Sequence, residues 1–348
     1  MHPAALFPAD RPPSIPRMGH SSKTHPESEA WQQFWTGRAR GGEHQFRDPE
    51  MARLLHRHWT KVFTESFNGR QDVDLVDLAC GEGEVLALAA ETAVALPATR
   101  LQAVGTDVAW DAVALAAQPV GDVRPVPAVA DCARLPFPDE SFDLAVSQYG
   151  LEYAGAEAFV EAGRIVKPGG RFHALVHVRG GAVEVSCQEI ADLLGAVIEI
   201  ALLDRMSDFI VTIPRAVSGE VSGEEAQSCA DALRLALESV ARVTGGAAPG
   251  PARDHVARLV QDCQSAAGRL GAYRTEDLQV WIEGQKAELA AFEHRMTSMV
   301  RVAQSEERLR DVVENLKAVG LEVSALETLA IEAGAPPLAW VLDARRSG

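Results

Sequence analysis

Three aspartates stand where chemistry would need them. Asp77 lies in the segment Val76-Asp77-Leu78-Ala79-Cys80-Gly81-Glu82-Gly83, in which an apolar run ends in an acid and then in a tight turn of small residues. Glycines at 81 and 83 remove the Cβ, so the backbone there can take turn angles closed to other residues and approach a ligand closely. A phosphate-binding turn wants bare N–H groups. The Asp77 carboxylate would repel a pyrophosphate, but it suits an ammonium group or an ordered water. The third glycine of a G-x-G-x-x-G pattern is also missing, because Leu86 holds that position. Asp107 follows the next apolar run, roughly 20 residues on, where a carboxylate can accept both hydroxyls of a ribose. Asp131, in Ala130-Asp131-Cys132-Ala133, closes a third run and suits the exocyclic amine of an adenine. One such acid alone is more often a turn former or helix cap. Three in register make one constellation: an amino-acid end, a ribose and a base.

A second group of residues could serve an acceptor. His173 and His177 fall on one face of a predicted strand, with His177 nearer its C-terminal end and placed as a general base toward a hydroxyl or amine. A hydrogen-bonded core histidine is the commoner meaning of such a residue. Tyr149 and Glu152, just past Gln148, are the next candidates for touching the acceptor. His56 and His58, two apart on a helix, cannot share a face, so no metal pair is expected. Cys80 and Cys132 read as small packing residues rather than nucleophiles. The aromatic face of Trp31, Phe34 and Trp35 reads as core or as a lid, and the Met296/Met299 stripe as core or interface.

The elements that must position these groups follow from hydrophobic period. Short apolar runs predict strands over 72–79, 100–106, 126–130, 142–147, 171–178, 321–331 and 338–344. Helical spacing predicts helices over 49–63, 84–95, 110–117 and 156–166, the last stopped by Pro168-Gly169-Gly170. Alternation of strand and helix predicts a doubly wound, mostly parallel seven-stranded α/β sheet. From Val183 to Gly320 the pattern is helical, broken near 218–223 and 245–251, which places a helical insertion between strands five and six. Within it Thr275 is the expected N-cap of a long helix, and Ser305 restarts another. The domain plan is a disordered leader over 1–26, N-terminal helices or lid over 27–70, a core over 71–182, a helical cap over 183–320 and two closing core strands over 321–348.

Composition removes other classes. The 348 residues carry 33 Lys plus Arg against 49 Asp plus Glu, a formal charge of −16, so a phosphate backbone or an anionic membrane is a poor partner. No apolar run approaches the roughly 20 residues that cross a bilayer. Five cysteines, odd in number and without a Cys-x-x-Cys clip, indicate reduced thiols and a cytoplasmic location.

Taken together, Asp77 to Gly83, Gly105-Thr106-Asp107-Val108, Asp131, Leu135 to Asp143 (LPFPDESFD) and Val166-Lys167-Pro168-Gly169-Gly170-Arg171 resemble, in order and spacing, the motifs of class I S-adenosylmethionine-dependent methyltransferases of the small-molecule branch. The resemblance covers 72–178, and Ala79 stands where that family usually has glycine. It implies S-adenosyl-L-methionine as cofactor, with Asp77 and the Ala79, Cys80, Gly81 and Gly83 turn around the methionine moiety. It implies Asp107 on the ribose, Val108 on the adenine face, Asp131 and the Cys132 N–H on the adenine edge, and Ser147 and Gln148 at the sulfonium end. The expected activity is methyl transfer to a small hydrophobic or aromatic acceptor under the cap, and a homodimer through the cap is the expected assembly. The rival expectations are an NAD-type nucleotide enzyme and a cofactor-bound interaction protein without catalysis.

Overall fold

The computed structural model describes residues 31, 32, 34–36, 48–96 and 99–348. The expected leader over 1–26 lies outside them. Seven strands form one sheet in the order β3-β2-β1-β4-β5-β7-β6. They are β1 (Asp72–Leu78), β2 (Arg100–Asp107), β3 (Val126–Val129), β4 (Phe142–Gln148), β5 (Val166–Val176), β6 (Leu321–Leu329) and β7 (Ala339–Arg346). The first five run parallel, and β7 is antiparallel to both β5 and β6. The central strands are nearly all apolar because helices cover both faces.

One helical layer comprises α1 (Pro49–Phe67), α2 (Glu84–Ala95) and α3 (Trp110–Ala116). Asp48 caps α1 by accepting from the Glu50 and Met51 N–H groups, with Pro49 at the first helical position. Trp59, Phe63 and Phe67 of α1 pack with Val73, Leu75, Leu86 and Leu175, so α1 is a layer of the sheet domain rather than a lid. The opposite layer holds α4 (Ala156–Arg164) and α10 (Glu306–Ala318). Leu309, Val312 and Leu316 of α10 share a core with Phe159, Phe172 and Leu342. The cap therefore ends before this helix, not at residue 320: an amphipathic stripe tells that a helix is half-buried but not against which layer.

The inserted helices are α5 (Ala182–Glu199), α6 (Leu202–Val217), α7 (Gly223–Gly246), α8 (Pro251–Gly268) and α9 (Thr275–Val302). They have a core of their own, with Leu194, Met206, Ile210, Val240, Val256, Ile282, Phe292 and Met296 buried together. The Met296 stripe is thus core. Thr275 is the first helical residue of α9 rather than its cap; Arg274 precedes it without a side-chain bond, whereas Ser305 does cap α10 through the Arg308 N–H.

Strand β5 starts earlier than Arg171. Val166 pairs with Phe142, residues 167–170 bulge out, and pairing resumes at Arg171 opposite Leu144. A proline and two glycines that end a helix are also what a bulge tolerates. Among the described residues no helix is long and apolar enough to cross a membrane.

Candidate functional site

The C-terminal ends of β1, β2 and β3 lie side by side, Asp77 beside Gly105 and Asp107 beside Val129 in the pairing. The three aspartates therefore come to one edge of the sheet. The turn after β1 is held in left-handed conformations at Ala79, Gly81 and Gly83, with φ of 54°, 52° and 86°. Ala79 is strained there, since its Cβ crowds the following carbonyl. The turn is pinned from below. The Cys80 N–H donates to the Thr106 carbonyl at 2.8 Å, and the Gly81 N–H donates to Asp107 Oδ2 at 3.0 Å. Asp107 Oδ1 accepts the Ala109 N–H at 2.9 Å. Both oxygens of Asp107 thus already organise the turn, and a ribose would have to use their remaining lone pairs. Burial raises the Asp107 pKa against the lowering effect of the N–H bonds from Ala109, Gly81 and Val108.

Asp77 differs. Its side chain is 1% exposed, and neither carboxylate oxygen has a hydrogen-bond partner. Burial, and then the charge of Asp107, pushes its pKa well above the usual carboxylate range. A buried, unpartnered carboxyl is costly. An ammonium group against it would restore the charged form and satisfy both oxygens. On the β3 side Asp131 is exposed and turns Oδ1 to the Ala133 N–H at 2.9 Å. Around it Val108 (52%), Trp110 (39%) and Val129 (43%) expose apolar surface at adjoining strand ends, which suits the faces of a purine. A carboxyl to face an ammonium, a turn with glycines at 81 and 83 and an apolar rim are the set that S-adenosylmethionine requires, so the residues fit it.

Other predicted residues have structural duties. Cys80 and Cys132 are buried, and their thiols are pushed up in pKa first by burial. Ser147 donates to the Leu78 carbonyl at 2.8 Å, tying β4 to β1. Gln148 Oε1 accepts the Trp59 indole N–H at 2.7 Å. Tyr149, itself at φ 56°, donates its hydroxyl to the Leu338 carbonyl at 3.2 Å and lays its ring 4.6 Å from that of His177. Gly150 presses on Ala79: a Cβ built at 150 would sit 2.4 Å from the Ala79 Cβ. The loop after β4 is thereby docked on the turn after β1. Its Glu152 pairs with His177, which follows β5; both are buried, and Oε1 lies 2.6 Å from Nδ1.

Several further contacts join segments far apart in the sequence. Trp35 stacks over the glycine turn, with its ring 2.8 Å from where a Gly81 Cβ would be. Gln32 and Thr36 both donate to Asp111 Oδ2. Trp31 meets Tyr153 edge-on at 5.6 Å, and Arg295 of α9 lies 4.9 Å over the Phe34 ring. The aromatic face read as core or lid therefore spans the cleft between α3, the β4 loop and the cap. Burial pushes the Arg295 guanidinium down to about 10. Lower on the sheet, His58 and His173 bring their Nε2 atoms to 2.8 Å. Arg171 forks onto Asp343 at 2.7 and 3.1 Å beside them. His173 is thus the core histidine that its strand position allowed. Among the described residues no group of three or more His, Cys, Asp or Glu is placed to hold a metal.

A methyltransferase domain family matches residues 76–174. No curated protein matches the chain. Among solved structures, a chain of the complex containing the Haloferax volcanii Trm112 methyltransferase activator is 26% identical (TM-score 0.32), covering 45% of this chain and 62% of that one. An S-adenosylmethionine-dependent methyltransferase of Mesorhizobium loti is 27% identical (TM-score 0.29), covering 34% and 53%. One of Methanosarcina mazei is 14% identical (TM-score 0.38), covering 80% and 94%. This chain thus spans less than two thirds of the first two.

Proposed function

We propose, on the premise that residues 76–174 are a class I S-adenosylmethionine-dependent methyltransferase domain, that the chain moves the methyl group to a small hydrophobic or aromatic acceptor held between the sheet edge and the helical cap. The observation that carries this reading is the Asp77 carboxyl, buried and unpartnered beside the glycine turn. A nicotinamide dinucleotide would set its pyrophosphate against that acid, and Leu86, which fills the third-glycine position, is buried in the core.

When bound, the cofactor supplies a methyl group already electrophilic on a sulfonium, so the chain's own work is binding, orientation and exclusion of water. Asp77 would take the ammonium, the 79–83 turn would line the amino-acid chain, and Asp107 would reach the ribose. Val108, Asp131 and the Cys132 N–H would address the adenine. Trp35 and the α9 side of the cleft would shut out water. The reading includes a cytoplasmic location, consistent with five cysteines that are all free thiols. Calorimetry on the full chain tests it: S-adenosylhomocysteine should bind and NADH should not, and the reverse result would overturn it.

A further inference from the structure

Resting on that methyl-transfer reading, we infer that Glu152 and His177 form a general-base pair and that the acceptor is a neutral hydroxyl on an apolar frame, such as a phenol or enol. His177 follows the end of β5 and is 1% exposed. Glu152 lies in the short 3-10 turn Leu151–Ala154 after β4. Its Oε1 accepts twice from the same residue, from the His177 backbone N–H at 2.9 Å and from the ring at Nδ1 at 2.6 Å. A carboxylate in that position requires the hydrogen on Nδ1 and leaves Nε2 as the bare acceptor. Nε2 is buried and has no partner, and the same holds for Glu152 Oε2 and for the hydroxyl of Tyr153, the next residue along the chain. Tyr149 lies along the imidazole at 4.6 Å and Tyr153 stands edge-on at 6.1 Å, so the ring is walled in. The Gly150 contact with Ala79 sets this loop against the cofactor turn.

A buried acceptor nitrogen left unpaired costs about 1–3 kcal/mol. A hydroxyl meets two of these three orphaned atoms, since it donates to Nε2 and its oxygen can accept from the Tyr153 hydroxyl. A cationic ammonium would lose its hydration among Trp31, Tyr149 and Tyr153, a neutral arylamine has its lone pair conjugated into the ring and accepts poorly from Tyr153, and a thiolate or carboxylate brings no proton for the base to take. In the reaction the hydroxyl proton passes to Nε2 as the oxygen lone pair bonds to the methyl carbon. The carbon–sulfur pair stays on sulfur, which becomes a neutral thioether, and the imidazolium rests beside Glu152 until its proton leaves to solvent. His177 is the catalytic residue; Glu152 is a positioning residue acting through it.

The test uses the full chain loaded with S-adenosylhomocysteine and three isosteric probes: 2-naphthol, 2-naphthylamine and naphthalene-2-thiol. Calorimetry should show 2-naphthol binding at least tenfold more tightly than the other two, with the preference lost in His177→Phe and His177→Asn. Imidazole 15N spectra of the unsubstituted chain should show hydrogen on Nδ1 and a bare Nε2 that shifts when 2-naphthol is added; Glu152→Gln should disturb that tautomer. With S-adenosylmethionine, methyl ether formation should fall about 10²–10⁴-fold in the His177 variants. No hydroxyl preference, a preference that survives loss of His177, or hydrogen found on Nε2 would each overturn the inference. Failure of S-adenosylhomocysteine to bind would instead remove the methyl-transfer reading itself.

Discussion

The sharpest consequence of the site concerns Asp77→Asn. In the ligand-free chain the Asp77 carboxyl is buried without a partner, and burial followed by the Asp107 charge raises its pKa. The unfolded chain loses that proton near the ordinary carboxylate value, the folded chain only at higher pH. Between the two values the folded state binds more protons, so stability falls as pH rises, by about 1.4 kcal/mol per pH unit. Asparagine has the same shape and no charge to bury, so the variant should be more stable than the parent, and the gap should widen from pH 5 to pH 8 in urea titrations. Binding should move the other way. An ammonium against Asp77 gains a charge-assisted bond of about 1.5–3 kcal/mol, so affinity for S-adenosylhomocysteine should drop roughly 10–150-fold. Because the acid must ionise to make that bond, binding to the parent should release a proton at any pH at which the free carboxyl is still protonated, that is from the ordinary carboxylate value upward to its raised one. Calorimetry in buffers of different ionisation enthalpy would see it, and the variant should release none. A variant less stable at pH 8, or one with unaltered affinity, would refute the assignment of Asp77 as the ammonium partner.

Three further outcomes follow from other contacts. Gly150→Ala puts a Cβ 2.4 Å from that of Ala79, so the docked loop must part from the turn at about 1–3 kcal/mol; weaker S-adenosylhomocysteine binding by calorimetry is expected, and unchanged binding would show the docking is incidental. His58 is held neutral, its pKa lowered to about 4 by burial and then by His173 and Arg171. The unfolded histidine protonates first, so stability present above pH 6.5 should be lost as pH falls toward 4, on the order of 2 kcal/mol after allowing for partial exposure. His58→Leu should flatten that acid limb in urea titrations, and a variant with the same limb would count against the pair. Arg171→Met strands Asp343 and should cost about 3–5 kcal/mol in chemical denaturation, most of it recovered when Asp343→Leu is added; no recovery would mean the fork is not the cause.

What the sequence made legible was what depends on local pattern. DVDLVDL and RLQAVGTD are apolar runs with an acid at one end, and the strands Asp72–Leu78 and Arg100–Asp107 lie there. The acids at those ends are brought together because parallel neighbours share a direction, which alternation already implies. What stayed hidden depends on register between distant segments. Glu152 and His177 were each singled out, but they are 25 residues apart, and only the pairing of Gln148 with Leu175 lays one beside the other. His58 meets His173 across 115 residues, a distance that helical or strand period does not address. Pro168-Gly169-Gly170 reads as the stop of a helix, yet the chain uses it within a bulge of β5. The Trp31/Phe34/Trp35 face reads as core or lid, but that Trp35 meets Gly81, 46 residues on, depends on how that segment sits against the finished sheet.

The position of the cap is also a matter of topology. Since β7 is antiparallel to β5 and β6, β6 runs parallel to β5, and a chain leaving β5 at the site edge must cross the sheet before it can begin β6. That crossing is made by α10, whose buried face belongs to the sheet core. Helices α5 to α9 do not contribute to the crossing. They leave and return at one edge, where Val178 bridges Gln304 and the Gln304 N–H donates to the His177 carbonyl. A five-helix unit with its own core was therefore accommodated without moving a strand, at the only end of β5 where it overlooks the aspartates and the Glu152–His177 pair. On the proposed reading the sheet edge would take the cation and the purine, and the inserted unit, tied to the backbone of His177 itself, would set what can approach that imidazole.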